Sequence, residues 1–338
     1  MSLQNDEEIP EKEVTAEEFL AAQKSAIRKK SWWGIGIGAF LVLTHLALFS
    51  IVIFSNRLED VLTWKDLFKS IFFILGLFAL AGGIYGLRYA KNLTIEDYIA
   101  SPEAIEFARQ SALTTPIYTY ILVASIVCVT LAQFSIGLQK SISLAGFYKP
   151  VFLQNGEQNG EWWRILTSGA LHGGFLHIYF NGQALYGFGG LIEFLSNRAH
   201  LTIVFLLSII GGGLLSLALM PDALIPTVGA SGGIMGLIGY LAIYGYRRKR
   251  QLPPDFLKSM LVNIGFIAAF GVFAWQIIDN FAHLGGLLVG AVYGFLQIPR
   301  DFEKNPRDIS FFTELVGAIA LGIFIATCIF SISLFLKS

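Results

Sequence analysis

Residues 201–220 read LTIVFLLSIIGGGLLSLALM, twenty positions without one charged side chain. A helix of about that length crosses the hydrocarbon layer of a bilayer. Outward from it, comparable apolar runs recur at 33–54, 67–87, 116–138, 170–194, 229–246, 257–277, 281–298 and 311–336, so the sequence predicts nine membrane spans. Composition agrees: 54% of the 338 residues are hydrophobic, 14% are charged, and the mean hydropathy is +0.62. Ordinary soluble domains carry about 25% charged residues, so both a disordered chain and a simple soluble enzyme are excluded. The 35 glycines suit helices that approach closely in lipid. Lys+Arg and Asp+Glu both total 24, which gives no basis for a nucleic-acid partner. Cys128 and Cys328 lie in separate apolar runs without CxxC spacing, so neither a disulfide framework nor a cysteine zinc site is expected.

Basic residues stay on the cytoplasmic side during insertion. With the N-terminus inside, seventeen of the 24 Lys and Arg fall in cytoplasmic segments, and the Arg247–Arg250 run is the strongest single vote. The first apolar run is longer than the 7–15 residues of a signal core, so it is expected to stay in the protein. Ahead of it, residues 1–32 read as a cytoplasmic segment in which Thr15 and Glu18 form a capping box for a short helix beginning at Ala16. Trp162, Trp163 and Arg164 close the longest outside loop, 139–164, and suit an interfacial anchor.

Polar groups inside a span are costly and mark candidate sites. They concentrate in three spans: His172, His177, Asn181 and Glu193 in the fourth, Gly229–Gly233 around Ser231 at the start of the sixth, and Asp279 to Gly286 around His283 at the start of the eighth. In the topology above, Ser231 and His283 enter the membrane from the same side. Serine needs a base, most often histidine, and donors for a developing oxyanion. His177 and Asn181, four residues apart, project from one helix face and can donate together. Ser231 also stands where the free N–H groups of a helix start favour negative charge. Small residues recur every four positions at Ala282, Gly286, Gly290 and Gly294, and at Gly232 and Gly236, which lets the two helices pack closely. Asp279, one turn before His283, reads as an interfacial residue or helix cap rather than as an orienter of the histidine. His45 reads as a packing or partner-helix histidine.

These residues, in this order, make the stretch from about 116 to 298 resemble the six-helix core of the rhomboid intramembrane serine proteases. Trp163-Arg164 ends the outside loop; His172, His177 and Asn181 follow with HxxxxHxxxN spacing; Gly190 and Glu193 form GxxE; Gly229-x-Ser231-Gly232 and Ala282-His283-x-x-Gly286-x-x-x-Gly290 complete the set. The resemblance implies an all-α polytopic membrane protein with a six-helix core, two extra helices before it within 33–90 and one after it at 311–336. It implies Ser231 as nucleophile and His283 as general base and acid, with His177, Asn181 and the Ser231 N–H forming the oxyanion hole. Trp163, Arg164, His172, Glu193, Gly229, Gly232, Gly286 and Gly290 match structural positions of the family. It further implies no cofactor or metal, and hydrolysis of peptide bonds in or beside the transmembrane segments of other membrane proteins. One departure is Met235, where the family often carries an aromatic residue one turn after the serine. Ala230, rather than the proline found beside the serine in inactive relatives, accompanies an intact Ser231 and His283.

The alternative of a catalytically silent relative that binds membrane-protein clients is disfavoured by the intact pair. A transporter would use His172, His177, Glu193 and Asp279 as a polar path, but no internal repeat is evident. A metalloprotease lacks an HExxH helix, although His172, His177 and His283 could approach one another. Short loops and no transit peptide rich in Arg and Ser point to a bacterial inner membrane, with the active site opening to the outer side. Oligomeric state has no sequence signature here.

Overall fold

In a computed structural model of the chain, the residues described are 15–54, 67, 70–98, 102–153 and 160–338. Residues 1–14 and most of the first loop, 55–66, lie outside them. The chain divides into two compact units, Met1–Ala100 and Ser101–Ser338.

The first unit holds α1 (Ala16–Phe54) and α2 (Ile71–Asn92). The capping box forms: the Glu18 N–H donates to Thr15 Oγ1 at 3.2 Å and the Thr15 N–H to Glu18 Oε2 at 3.1 Å. The helix it starts is not short, however. It runs 39 residues without a break into the first apolar run, because 16–32 is made of good helix formers and holds no Gly or Pro to stop it. Glycines bring α1 and α2 together: a Cβ on Gly38 would lie 2.7 Å from the Gly76 carbonyl oxygen, and one on Gly83 would lie 2.6 Å from that of Ser31. The His45 ring donates to the Leu41 carbonyl at 2.9 Å and stacks 5.9 Å from Phe72, a packing role within this pair.

The second unit contains α3 (Pro102–Leu113), α4 (Ile117–Ile136), α5 (Leu138–Ala145), α6 (Lys149–Leu153), α7 (Arg164–Ser168), α8 (Phe175–Leu195), α9 (Arg198–Leu219), α10 (Ser231–Arg247), α11 (Phe256–Phe273), α12 (Asn280–Gln297) and α13 (Phe311–Leu336). Among the described residues, six helices are long and apolar enough to cross a membrane: α1, α2, α4, α9, α11 and α13. The other three expected spans, α8, α10 and α12, are the ones that carry the polar and glycine-rich stretches. Reduced apolar character therefore coincides with the candidate site.

Two structural devices shape this unit. α4 begins after Pro116, which has no side chain able to cap, and its free amides are satisfied from α8 instead. Glu193 accepts from the Thr119 N–H at 2.6 Å, the Thr119 hydroxyl at 2.7 Å and the Tyr118 N–H at 3.3 Å, so one buried carboxylate caps a helix 74 residues away in sequence. The close approach beside it is made by Gly189, whose Cβ would lie 2.8 Å from Thr119 Oγ1, while Gly190 sits at ordinary contact distance from Pro116. α13 is part of the same hydrophobic cluster as α9 and α10. Phe324 meets Phe205 edge to face at 5.1 Å, and the Thr202 hydroxyl donates to the Gly317 carbonyl at 2.7 Å.

Large apolar side chains remain exposed along the helices, among them Leu261, Val262, Phe266 and Val272 on α11. An apolar exterior of this kind is what lipid requires of a helix that satisfies its own backbone. Cys128 is exposed on it and Cys328 is buried in the core; both are free thiols.

Candidate active site

The glycine stripes place α10 and α12 against each other. A Cβ on Gly286 would lie 2.0 Å from the Gly232 carbonyl oxygen, and one on Gly290 would lie 1.9 Å from that of Gly236. α9 closes on the other side of α12, where a Cβ on Gly212 would meet the Ala282 oxygen at 2.5 Å. Backbone cannot yield as a flexible side chain does, so only glycine fits at these contacts.

That packing brings together the first turns of α10 and α12. His283 Nε2 lies 2.8 Å from Ser231 Oγ, and both side chains are half-buried. Ser231 is the first residue of α10, and the first helical bond at this end runs from the Ile234 N–H to the Ala230 carbonyl. The amides of Ser231, Gly232 and Gly233 thus belong to the orphan set of a helix start.

Opposite them stand His177 and Asn181 from the first two turns of α8. The Gly173 N–H donates to His177 Nδ1 at 3.2 Å, so a neutral ring carries its proton on Nε2. That Nε2 would lie 2.7 Å, and Asn181 Nδ2 3.4 Å, from a Cβ placed on Gly229. Asn181 Nδ2 is buried and has no hydrogen-bond partner among the described residues. Gly229 has φ +122°, a conformation favourable only to glycine, and its N–H is held by the Ser168 carbonyl at 2.8 Å. Two side-chain N–H donors therefore stand against Gly229, two residues before Ser231. Met235, one turn along α10, is buried in the core.

His172 does not lie on the helix that carries His177. The expected span from 170 starts only at Phe175, because Gly174, at φ +148°, breaks the chain direction after Gly173. Buried in that irregular segment, His172 is held by α4: its backbone N–H donates to Gln133 Oε1 at 2.8 Å, and Gln133 Nε2 donates to its carbonyl at 3.2 Å. The Thr130 hydroxyl gives its proton to the Ile126 carbonyl and so accepts from His172 Nδ1 at 3.2 Å. The rings of His172 and His177 meet edge to face at 5.1 Å. Among the described residues no three His, Cys, Asp or Glu side chains converge as metal ligands.

Arg164 departs from the surface-anchor expectation. It is buried, paired with Glu161 at 2.6 Å, and donates to the carbonyls of Gly146 at 3.1 Å and Ser143 at 3.3 Å, so it braces the connection between α4 and α8 from within. Its guanidinium stacks over Trp163, which meets Phe330 of α13 at 5.1 Å. Trp162 remains exposed, as an interfacial aromatic would. Asp279 caps α12, accepting the Ala282 N–H at 3.0 Å.

Sequence reading passed over Lys149 and His200. Lys149 is 1% exposed and pairs with Asp279 at 2.9 Å. His200 is buried with Nδ1 2.9 Å from the Tyr293 hydroxyl. A lone lysine in a predicted loop and a histidine two residues after an arginine carry no local signal, and only their distant partners reveal them.

A sequence model of the Rhomboid domain matches residues 159–300. The chain is 32% identical to the rhomboid protease GlpG of Haemophilus influenzae over 184 residues, 53% of this chain and 90% of that protein. It is also 32% identical to two proteins of Bacillus subtilis: the putative rhomboid protease YdcA, over 43% of this chain and 72% of that protein, and the rhomboid protease GluP, over 48% of this chain and only 31% of that protein. The chain thus spans less than a third of GluP and nearly the whole of GlpG.

Proposed function

The chain belongs to the rhomboid family and is an integral, multi-pass membrane protein, and on that premise we propose that it is an intramembrane serine endopeptidase acting through a Ser231–His283 dyad. The observation that carries this reading is the 2.8 Å contact between Ser231 Oγ and His283 Nε2, with His177 and Asn181 standing against Gly229, two residues before Ser231. In this mechanism Ser231 Oγ attacks the carbonyl carbon of a peptide bond while His283 Nε2 takes its proton. The oxyanion that forms is met by His177 Nε2–H, Asn181 Nδ2–H and the Ser231 N–H at the positive end of α10. His283 returns the proton to the leaving amine, the acyl-enzyme forms, and a water activated by the same ring releases the second product.

Substrates on this reading are transmembrane segments of other proteins, reached from the bilayer. The dyad opens to the non-cytoplasmic side of a bacterial inner membrane, in line with the distribution of Lys and Arg. The core of the activity lies within 116–298, while 1–32, the pair within 33–90 and the helix at 311–336 are additions to it.

The test is cleavage of a reporter with a single transmembrane helix in proteoliposomes. Wild type cleaves it, and Ser231→Ala and His283→Ala do not, although both retain near-wild-type thermal stability. Cleavage that survives either substitution overturns the dyad.

A further inference from the structure

Three protons and four acceptor positions meet at one buried spot one helical turn from the dyad. Lys149 Nζ, on α6, donates to Ser216 Oγ at 2.7 Å, to Asp279 Oδ2 at 2.9 Å and to Thr227 Oγ1 at 3.3 Å. Asp279 accepts from the Lys149 ammonium, from the Ser216 hydroxyl at 2.6 Å, from the Thr227 hydroxyl, and from the Ala282 N–H at 3.0 Å. Every ammonium proton is used and the carboxylate accepts four bonds, so the buried Lys149 charge and the partly buried Asp279 charge compensate each other. A single residue at its centre ties together four parts of the chain: the α4–α8 connection, the last turn of α9, the segment leading into α10 and the start of α12.

The spacing gives this network a mechanical role. Thr227 lies four residues before Ser231, and Asp279 lies four residues before His283. Thr227 is fixed a second time by paired backbone bonds with Phe147, at 2.9 and 3.3 Å, two residues from Lys149. Glycine packing sets the lateral separation of α10 and α12, but two smooth glycine faces do not fix how far one helix slides along the other. A clamp on the leading ends of both helices does.

We propose that Lys149 and Asp279 are positioning residues that set the axial register of Ser231 against His283. This rests on the dyad reading above. Neither side chain touches the reacting atoms; each acts through the backbone that leads into a dyad residue.

The test measures the rate at which a fluorophosphonate labels Ser231 in full-length protein, together with kcat and KM on a transmembrane reporter. Measurements are made about 15 °C below the Tm of each variant, so that all molecules are folded. Lys149→Met and Asp279→Asn, the latter keeping an oxygen for the Ala282 cap, are expected to label at least about tenfold more slowly, with kcat reduced and KM unchanged. Wild-type labelling rates in both variants, with only Tm lowered, overturn the proposal and leave a purely structural ion pair. Should Lys149→Met not fold, Ser216→Ala and Thr227→Val each remove one bond to Lys149 and one to Asp279 while keeping the ion pair; labelling slowed by about threefold supports the proposal and an unchanged rate overturns it. Failure of wild type itself to label, or labelling that survives Ser231→Ala, removes the dyad reading instead, and is recognised by the wild-type and Ser231→Ala lanes alone.

Discussion

Of the helix pairs that pack through glycine among the described residues, α1 with α2 and α10 with α12 make the sharpest contrast, and only the second holds a candidate site. In the pair α1 and α2, Gly38 and Gly83 bring backbones too close for any side chain, and what lies along the contact is more apolar side chain, with His45 spent on its own helix and on Phe72. In the pair α10 and α12, Gly286 and Gly290 approach Gly232 and Gly236 more closely still, and the helix ends carry Ser231, His283 and the cap Asp279. Close packing is therefore a means of bringing groups into range and says nothing by itself about chemistry. The difference lies in the ends: a glycine seam becomes a candidate site where two helix starts meet with a serine on one and a histidine on the other.

The comparison can be broken by moving the seams apart. Gly286→Val or Gly290→Val, each placing carbon against a backbone oxygen, is expected to reduce reporter cleavage by at least about 100-fold, the scale of a misplacement of about 1 Å. Gly38→Val strains the other seam in the same way and is expected to leave Ser231 labelling within about twofold of wild type, because Gly38 belongs to a compact unit other than the one that holds Ser231. Equal losses from both seams would show that the first pair contributes to the site after all.

Next in size are the donors. His177→Ala and Asn181→Ala are each expected to lower kcat by about 10²–10³-fold, or about 2.7–4 kcal/mol of transition-state stabilisation, with little change in KM. Turnover equal to wild type in either variant removes that residue from the oxyanion hole. Gly229→Ala, which forces a side chain into the donors' space from a left-handed backbone, is expected to fall in the same range.

Glu193→Gln sharpens the contrast between holding and reacting. It weakens the cap of α4 and is expected to cost about 1–3 kcal/mol of stability by thermal or denaturant unfolding, with activity per folded molecule unchanged. A drop in kcat without loss of stability would instead give Glu193 a place in the chemistry.

The smallest effect is on acid tolerance. Burial by itself raises the Asp279 pKa, but Lys149 and the Ser216 and Thr227 hydroxyls outweigh it and hold the carboxyl below its ordinary 3.8. A carboxylate whose pKa is lower folded than unfolded stabilises the fold above that ordinary value, and the contribution fades as pH falls through the folded value. Tm is therefore expected to be insensitive to this group from neutral pH down to about 5 and to decline below about 4, a decline that Asp279→Asn abolishes.

Much of this was legible in the sequence because lipid leaves so few ways to satisfy a backbone. All nine expected spans are helices, with ends within a few residues for most, since uninterrupted apolar runs of that length have no other solution. The proposed dyad and donors were legible as candidates because Ser231, His283, His177 and Asn181 are polar groups where polarity is costly, and spacing placed them on helix starts and on one face. What was not legible depends on partners far along the chain. The helical run was carried through 170–174, although Gly173 and Gly174 end it and free His172 to be held by Gln133 and Thr130. Arg248 counted as one of four surface charges; it is 1% exposed and donates to the carbonyls of Pro299, Asp301, Phe302 and Lys304, so it organises the segment after α12. Lys149 had the look of a solvated loop lysine until Asp279, 130 residues on, supplied its counter-charge.

The central claim is that packing of α10 against α12 makes Ser231 a nucleophile. It is tested most directly by treating the folded protein in proteoliposomes with a fluorophosphonate and locating the adduct by mass spectrometry in wild type, Ser231→Ala and His283→Ala. The account requires an adduct on Ser231 in wild type and none in either variant. A folded wild type that stays unlabelled where another rhomboid protease reacts, or an adduct that persists in Ser231→Ala, contradicts it.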